Sequence, residues 1–395
     1  MQMEKLVLGL GNNIDYEIVW DSRVFESLIE KYDIRDAELS KDVPIDSERN
    51  MVISILGFVK ADMGGERYVQ DPQTIEDIAQ YFQKKITLGG TSVRAAIAMR
   101  RLGYRSALHL VTINDDVRRL IPSDSPYVCS AKEDSCYPHF IVQYTKGTRI
   151  QASDVDICAA RSNRIIYTHD EDNALMALDS GLKDMLTRAE VFLISGFNSM
   201  QDESLLQQRL LELVDMMVAL PDDALVYYED GGFHRPELSR MVQEKLISRI
   251  DIYSMNEDEL QAYLNRKIDL LNADEMATAL RDVHRMIPAT TLLIHTQHYA
   301  LTYGEQAARY CNALRSAIVM AGTRFCFGDD FTMDDHRAVS QYPLQVAGET
   351  FAHTIQGQLK DNICCCACVQ ADERNATTIG LGDSFVGGFL PALLD

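Results

Sequence analysis

Hydrophobic and polar positions follow two periods along the chain. Short runs that are apolar on both faces recur at "KLVLGLG" (5–11), "SALHLVTI" (106–113), "VFLISGF" (191–197), "ALVYYE" (224–229), "RIDIYSMN" (249–256) and "TTLLIHT" (290–296). Each ends in polar or small residues, as buried parallel strands do. Between them lie stretches of helical period, "SVRAAIAMRRLG" (92–103), "DESLLQQRLLELVDMMVAL" (202–220) and "RPELSRMVQEKLIS" (235–248), with a closing helical pair expected at 313–328 and after Asp383. The alternation predicts an α/β fold with a doubly wound, mostly parallel sheet and helices on both faces.

Two regions interrupt this pattern. Residues 18–82 carry a charged, helix-like piece and then "MVISILGFVKADMGGERYVQ" (51–70), which reads as two strands around a Met63-Gly64-Gly65 turn. Residues 136–168 carry "CYPHFIVQYTKGTRIQ", turning at Lys146-Gly147, and then "NRIIYT". Paired with each other, the insertions would make a small, discontinuous α/β lid domain (18–82 and 136–168). Residues 1–17, 83–135 and 169–395 would form the large domain, with ligands at the carboxyl ends of its strands.

The chain has 395 residues, 46% of them hydrophobic and 25% charged, which is the composition of a globular protein with a sizeable core. Its formal net charge of −21 excludes a nucleic-acid-binding surface, which needs clustered Lys and Arg. A phosphorylated small molecule stays open, since a few local donors in a cleft can meet its charge. The amino-terminal apolar run, about seven residues long, is too short for a signal peptide or a membrane span. A cytoplasmic protein, monomer or dimer, is expected. The nine cysteines, an odd number without a secretion signal, read as reduced thiols. The "CCCAC" cluster (364–368) lacks a paired CxxC or His spacing and reads as small, helix-packing residues.

Four motifs carry candidate chemistry. In "LGLGNNID" (8–15), Gly9-x-Gly11 fails as a dinucleotide fingerprint because Ile14 stands where Gly or Ala is needed. Asn12, Asn13 and Asp15 at a strand end suit the hydroxyls of a polyol, or form an Asx turn. In "LGGTSVRAA" (88–96), Gly89-Gly90 lets a ligand approach the backbone, with Thr91 or Ser92 as helix cap. In "SMNEDEL" (254–260), Asn256 and Glu259 fit both a hydrated Mg²⁺ site and a capping box. Glu229, ending "VYYE", is a further acidic contributor. In "GLGDSFVGG" (380–388), Gly380, Leu381 and Gly382 start an apolar helix whose unpaired amides can hold an anion. Asp383 beside them either caps the helix or takes a proton from an attacking hydroxyl.

In this order the pieces resemble the ribokinase superfamily and, within it, the ADP-dependent glucokinase and phosphofructokinase family. The likeness runs through "NNID" (12–15), "KKITLGGTSVRAAIAMRRLG" (84–103), "HFIVQYTKG" (139–147), "NRIIYTHDEDN" (163–173), "LISGFNSM" (193–200), "NEDEL" (256–260), "LLIHTQHYALTYG" (292–304), "FCFGD" (325–329) and "GLGDSFVGG". The resemblance implies a ribokinase-like fold whose large domain is nucleotide-binding and catalytic and whose small lid domain contributes to sugar binding, with Asp383 as catalytic base and Gly380, Leu381 and Gly382 as anion hole. Asn13, Asp15, Gly89 and Gly90 would lie on the sugar side. Asn256, Glu259 and Glu229 would lie on the metal side and support Mg²⁺ or another divalent cation. His295, with Gly382, would lie on the nucleotide side. The family's H-x-E motif here reads Tyr227-Tyr228-Glu229, without the His, and its usual GGQAG reads "GGTSVRAA", which brings Arg94 toward the sugar pocket.

The expected reaction is phosphoryl transfer from ADP to a sugar or sugar-phosphate hydroxyl, giving AMP. Arg94, Lys146 and Arg164 as cations slightly favour fructose 6-phosphate; Glu66 in "GGERY" would instead suit free glucose. An ATP-dependent ribokinase-type kinase and a non-catalytic sugar- or nucleotide-sensing protein are the alternatives.

Overall fold

The computed structural model describes residues 4–371 and 377–394. Its strands in chain order are β1 (Leu6–Leu8), β2 (Asn13–Ile18), β3 (Gly65–Tyr68), β4 (Lys84–Gly89), β5 (Ala107–Leu110), β6 (Tyr127–Cys129), β7 (His139–Tyr144) and β8 (Arg149–Ala152). They continue with β9 (Val155–Cys158), β10 (Asn163–Thr168), β11 (Val191–Ile194), β12 (Leu225–Glu229), β13 (Ile252–Asn256), β14 (Thr291–His295), β15 (Tyr299–Gly304) and β16 (Ile363–Ala367). Nine of them form a sheet in the order β16-β15-β14-β13-β12-β11-β1-β5-β6. It is parallel from β14 to β6, and β15 and β16 add an antiparallel edge.

The runs read as apolar on both faces occupy its centre for a simple reason. Successive side chains alternate, so Leu6 and Leu8 enter one core while Val7 enters the other, and on β11 Val191 and Leu193 oppose Phe192 and Ile194. Helices cover both faces. The closing pair, Cys311–Phe327 and Leu381–Phe389, packs together and against the helix Thr91–Arg101. Gly387 and Gly388 permit that approach: a Cβ on Gly387 would lie 2.8 Å from the Ala95 carbonyl, and one on Gly388 2.8 Å from the Ser316 carbonyl.

The second sheet has five strands in the order β3-β10-β7-β2-β4. Both insertions contribute to it, but so do Asn13–Ile18 and Lys84–Gly89, most of which the sequence reading assigned to the large unit. The chain thus leaves the nine-stranded sheet directly after β1 and returns directly after β4. Two further expectations need correction. Residues 51–70 are not two strands; the helix Glu48–Lys60, capped by Ser47, precedes β3. Every residue from Met51 to Val59 is buried, so this helix shows no polar stripe to reveal its period. The run through Lys146-Gly147 is not a hairpin of β7 with β8 either, since β8 pairs with β9 in a separate two-stranded sheet.

The cysteine cluster is also not helical. Cys364, Cys365 and Cys366 lie on edge strand β16, and Cys311 forms a disulfide with Cys364, against the expectation of fully reduced thiols. Among the described residues no helix is long and apolar enough to cross a membrane.

Candidate active site at the junction of the two sheets

The two crossings between sheets lie side by side. Asn13 pairs with Gly89 in the antiparallel β2–β4 ladder. Gly90, with φ +89°, starts the helix Thr91–Arg101, and a Cβ there would sit 2.8 Å from the Gly11 carbonyl and 2.9 Å from Asn12 Cα. Only a glycine fits that approach. Neither Thr91 nor Ser92 caps the helix, because Gly90 holds the cap position; Ser92 Oγ instead donates to the Gly11 carbonyl at 2.8 Å. Asn12 is structural: its amide stitches the end of β1 to the backbone of Val111 and Thr112.

Asp15 is 3% exposed and is the hub of the sugar-side group. It accepts from Asn13 Nδ2 at 2.6 Å and from Arg94 Nη2 at 2.6 Å, and faces His139 in the β2–β7 register. His139 Nε2 lies 3.0 Å from Asp170 Oδ2, and its Nδ1 lies 3.1 Å from Asn13 Nδ2. Burial by itself would lower the His139 pKa, but Asp170, then Asp15 and Glu66, outweigh it and raise it. Glu66, exposed on edge strand β3, thus acts on this group across the sheet. Arg94 is buried and bonds Glu17 Oε1 at 3.3 Å as well, with Asp383 Oδ2 at 3.8 Å. Burial opposes its charge, yet Asp15, Asp383 and Glu17 prevail and raise its pKa. Arg94 is therefore neutralised by the chain's own acids.

Asp383 lies in the first turn of the helix Leu381–Phe389, and Gly380, with φ +67°, is the cap. A side chain at Gly380 would meet the Arg94 Cδ and Nη1 at 2.9 Å. The carboxylate of Asp383 is thus released from capping and is held by Thr91 Oγ1, which donates to Oδ1 at 2.8 Å. The amides of the first turn have no intrahelical partner and lie at the positive end of the helix, next to that carboxylate. Arg164, on β10 of the second sheet, reaches over to donate to the Thr378 carbonyl at the approach to this turn. Lys146 stays on an exposed turn, where its amide bonds Ser162.

A second acidic group stands at the ends of β12, β13 and β14. Glu229, Asp230 and Glu259 are 7%, 3% and 9% exposed. Asn256 and Glu259 complete a capping box: Asn256 Oδ1 accepts from the amides of Asp258 and Glu259, and Glu259 accepts from the Asn256 amide at 2.7 Å and side chain at 2.9 Å. Burial, then Asp230 and Glu229, push the Glu259 carboxyl well above its usual range. Glu229 accepts from Tyr227 Oη at 3.1 Å and lies 3.1 Å from His295 Nε2. Burial lowers the His295 pKa, but Glu229 more than compensates and raises it. His295 stacks on Phe385 of the Asp383 helix at 5.0 Å between ring centroids. A histidine from β14, two strands away across β13, therefore partners Glu229, where Tyr227 replaces the His of the H-x-E pattern.

Both oxygens of Glu229 and of Glu259 already accept bonds from the chain. Such a donor set fits a hydrated cation, bound through water, better than a direct cage. Among the described residues no group of three or more His, Cys, Asp or Glu side chains is arranged to hold a metal directly.

Sequence reasoning missed His139, Glu17, Asp170, Asp230 and the Thr91 hydroxyl. His139 opens the quoted run "HFIVQYTKG", and a strand register placing it beside Asp15 was the signal needed.

A family pattern described as the ADP-specific Phosphofructokinase/Glucokinase conserved region matches residues 4–390. The fold is similar to that of a phosphofructokinase from Pyrococcus horikoshii OT3 solved with AMP, at 15% identity and a TM-score of 0.78, over 100% of this chain and 99% of that one. It is similar also to the last common ancestor of ADP-dependent phosphofructokinases from Methanosarcinales, at 12% identity and a TM-score of 0.73, over 99% and 94% of the two chains. An ADP-dependent kinase in complex with fructose-6-phosphate and ADPbetaS gives 11% identity and a TM-score of 0.73, over 99% and 94%. No curated protein sequence matches. At these identities the structural likeness speaks for the fold, which is the ribokinase-like α/β architecture that the resemblance implied.

Proposed function

The chain belongs to the ADP-specific phosphofructokinase/glucokinase family, and from that premise we propose that it transfers the β-phosphoryl group of ADP to a hydroxyl of a free hexose, releasing AMP. Membership makes it a sugar kinase, a phosphotransferase with an alcohol group as acceptor. The observation that carries the proposed chemistry is the placement of Asp383. It lies in the first helical turn, beside amides that can receive an anion, and Thr91 rather than the helix backbone fixes its carboxylate.

In the proposed reaction Asp383 takes the proton of the acceptor hydroxyl as its oxygen bonds to the β-phosphorus. The bond from that phosphorus to the bridging oxygen breaks, and AMP leaves with the electron pair. The amides of Leu381 and Gly382 stabilise charge on the phosphoryl oxygens. Asn256, Glu229 and Glu259 would hold a hydrated Mg²⁺, which when bound would neutralise nucleotide phosphate charge. Asn13, Asp15 and His139 would orient the acceptor through its hydroxyls, and the second sheet would exclude water from the junction.

Charge supports a neutral acceptor. Asp15, Glu17, Asp170 and Glu66 surround the sugar side, and Arg94, counted from sequence as a cation for a sugar phosphate, is consumed by Asp15, Glu17 and Asp383. A phosphate dianion there would face these four carboxylates with Arg94 already engaged by acids of the chain. The balance that slightly favours fructose 6-phosphate in the sequence thus shifts toward free hexose. One observation keeps fructose 6-phosphate as a second reading: Arg164 is exposed and reaches the approach to Asp383. Steady-state kinetics with ADP and either glucose or fructose 6-phosphate decide between them. A kcat/KM for fructose 6-phosphate above that for glucose would overturn the first reading.

A further inference from the structure

We infer that Arg324 is a positioning residue for phosphoryl transfer, holding the 379–383 turn from behind so that its amides form a preorganised anion hole. The inference rests on the phosphoryl-transfer reading of Asp383.

Arg324 belongs to the helix Cys311–Phe327 and is 2% exposed. Its Nε donates to the Ile379 carbonyl at 3.1 Å, and its guanidinium is ion-paired with Asp329. One residue on, the Phe325 carbonyl accepts from the Thr377 amide at 3.1 Å, so the same stretch of helix grips the segment at two points. On its other side the turn lies against Arg94, whose side chain occupies the space a Gly380 Cβ would need. Gly380 and the amides after it are therefore held between two buried guanidinium groups.

Those two cations differ in their compensation. Arg94 has Asp15, Glu17 and Asp383 around it, whereas Arg324 has one ion-pair partner among the described residues, Asp329, which is 26% exposed. Burial, reinforced by repulsion from Arg94 and only partly offset by Glu17, Asp383 and Asp15, pushes the Arg324 guanidinium down to about 10. An anion received by the amides of the turn relieves that repulsion. The relief grows as charge accumulates on the transferring group, and it needs no rearrangement of a turn already fixed at Ile379. A neutral donor to the same carbonyl would fix the turn without supplying the field.

AMP and ADP differ by the group that would occupy this hole, and this difference provides the test. Full-length Arg324→Met and Arg324→Lys are compared with wild type by calorimetric titration with ADP and with AMP, and by steady-state kinetics. Arg324→Met is expected to weaken ADP about 10-fold and AMP less than about twofold, and to lower kcat about 10- to 100-fold with acceptor KM little changed. Arg324→Lys should recover part of the ADP affinity. Equal losses for the two nucleotides, or no change in kcat, would overturn the inference in favour of a purely structural arginine.

Should Arg324→Met not fold, Asp329→Asn is measured instead. Removing the counter-charge should raise the preference for ADP over AMP about two- to fivefold; an unchanged preference overturns the inference. Failure of the underlying reading looks different: wild type itself would then form no AMP from ADP with any sugar.

Discussion

Thr91 Oγ1 donates a 2.8 Å hydrogen bond to Asp383 Oδ1, joining residues 292 positions apart in sequence. The bond ties the first turn of one helix to the first turn of another, and it leaves the second carboxylate oxygen facing Arg94 at 3.8 Å. A base held in this way keeps its orientation before the acceptor arrives.

Asp383→Asn removes the proton acceptor and keeps the shape. Turnover should fall roughly 10²- to 10⁴-fold while ADP affinity is spared. Thr91→Val, which removes only the orienting bond, should cost about 10-fold in kcat. Wild-type turnover in Asp383→Asn would remove that residue from the mechanism.

Stability should respond to pH through His295. Its pKa is raised in the folded chain above the ordinary value of 6.5, since Glu229 outweighs burial. The stabilisation is complete below the unfolded pKa and is lost as pH rises through the folded one. The thermal midpoint of wild type should therefore decline above pH 6.5, and His295→Asn should show a shallower decline over the same range. Parallel curves would show that the Glu229–His295 contact contributes no pH dependence.

Glu259 separates capping from cation binding. Its carboxyl pKa is raised by burial, Asp230 and Glu229, so its charge costs stability at neutral pH, the opposite of a salt-bridged carboxylate. Glu259→Gln should keep or raise the thermal midpoint and increase the Mg²⁺ concentration needed for half-maximal activity. A lower midpoint with an unaltered Mg²⁺ requirement would leave Glu259 as a helix cap only.

The Cys311–Cys364 bond closes a sequence separation of 53 residues and ties the helix Cys311–Phe327 to edge strand β16. Opening it by reduction, or by Cys311→Ser, should lower stability by about 2–4 kcal/mol in chemical denaturation. Identical denaturation curves with and without reductant would mean that the bond does not form in solution.

Much of this was legible in the sequence, and what was missed has physical reasons. The six central strands are short and buried on both faces, a pattern that few other structures produce, so "VFLISGF" and "TTLLIHT" were readable as they stand. Residues 51–59 are equally apolar but helical, because full burial erases the polar stripe that distinguishes the two periods. Asp383, Gly380 and the Asn256-x-x-Glu259 pair were legible because helix starts impose local spacing. The partners that define their chemistry are Thr91, His139 and His295. They arrive from distant strands and helices, and only the register of Asp15 with His139 or of β12 beside β13 and β14 brings them close. Arg94 shows the same limit from the other side. Its position near the pocket was expected, but not the three carboxylates that neutralise it.

The most direct test of the central claim is the nucleotide product formed by purified wild-type protein given Mg²⁺, glucose and either ADP or ATP. The account predicts AMP and hexose phosphate in equal amounts from ADP, abolished by Asp383→Asn, with ATP a far poorer donor. Turnover of ATP with none of ADP, or no AMP from ADP with either glucose or fructose 6-phosphate, would contradict it.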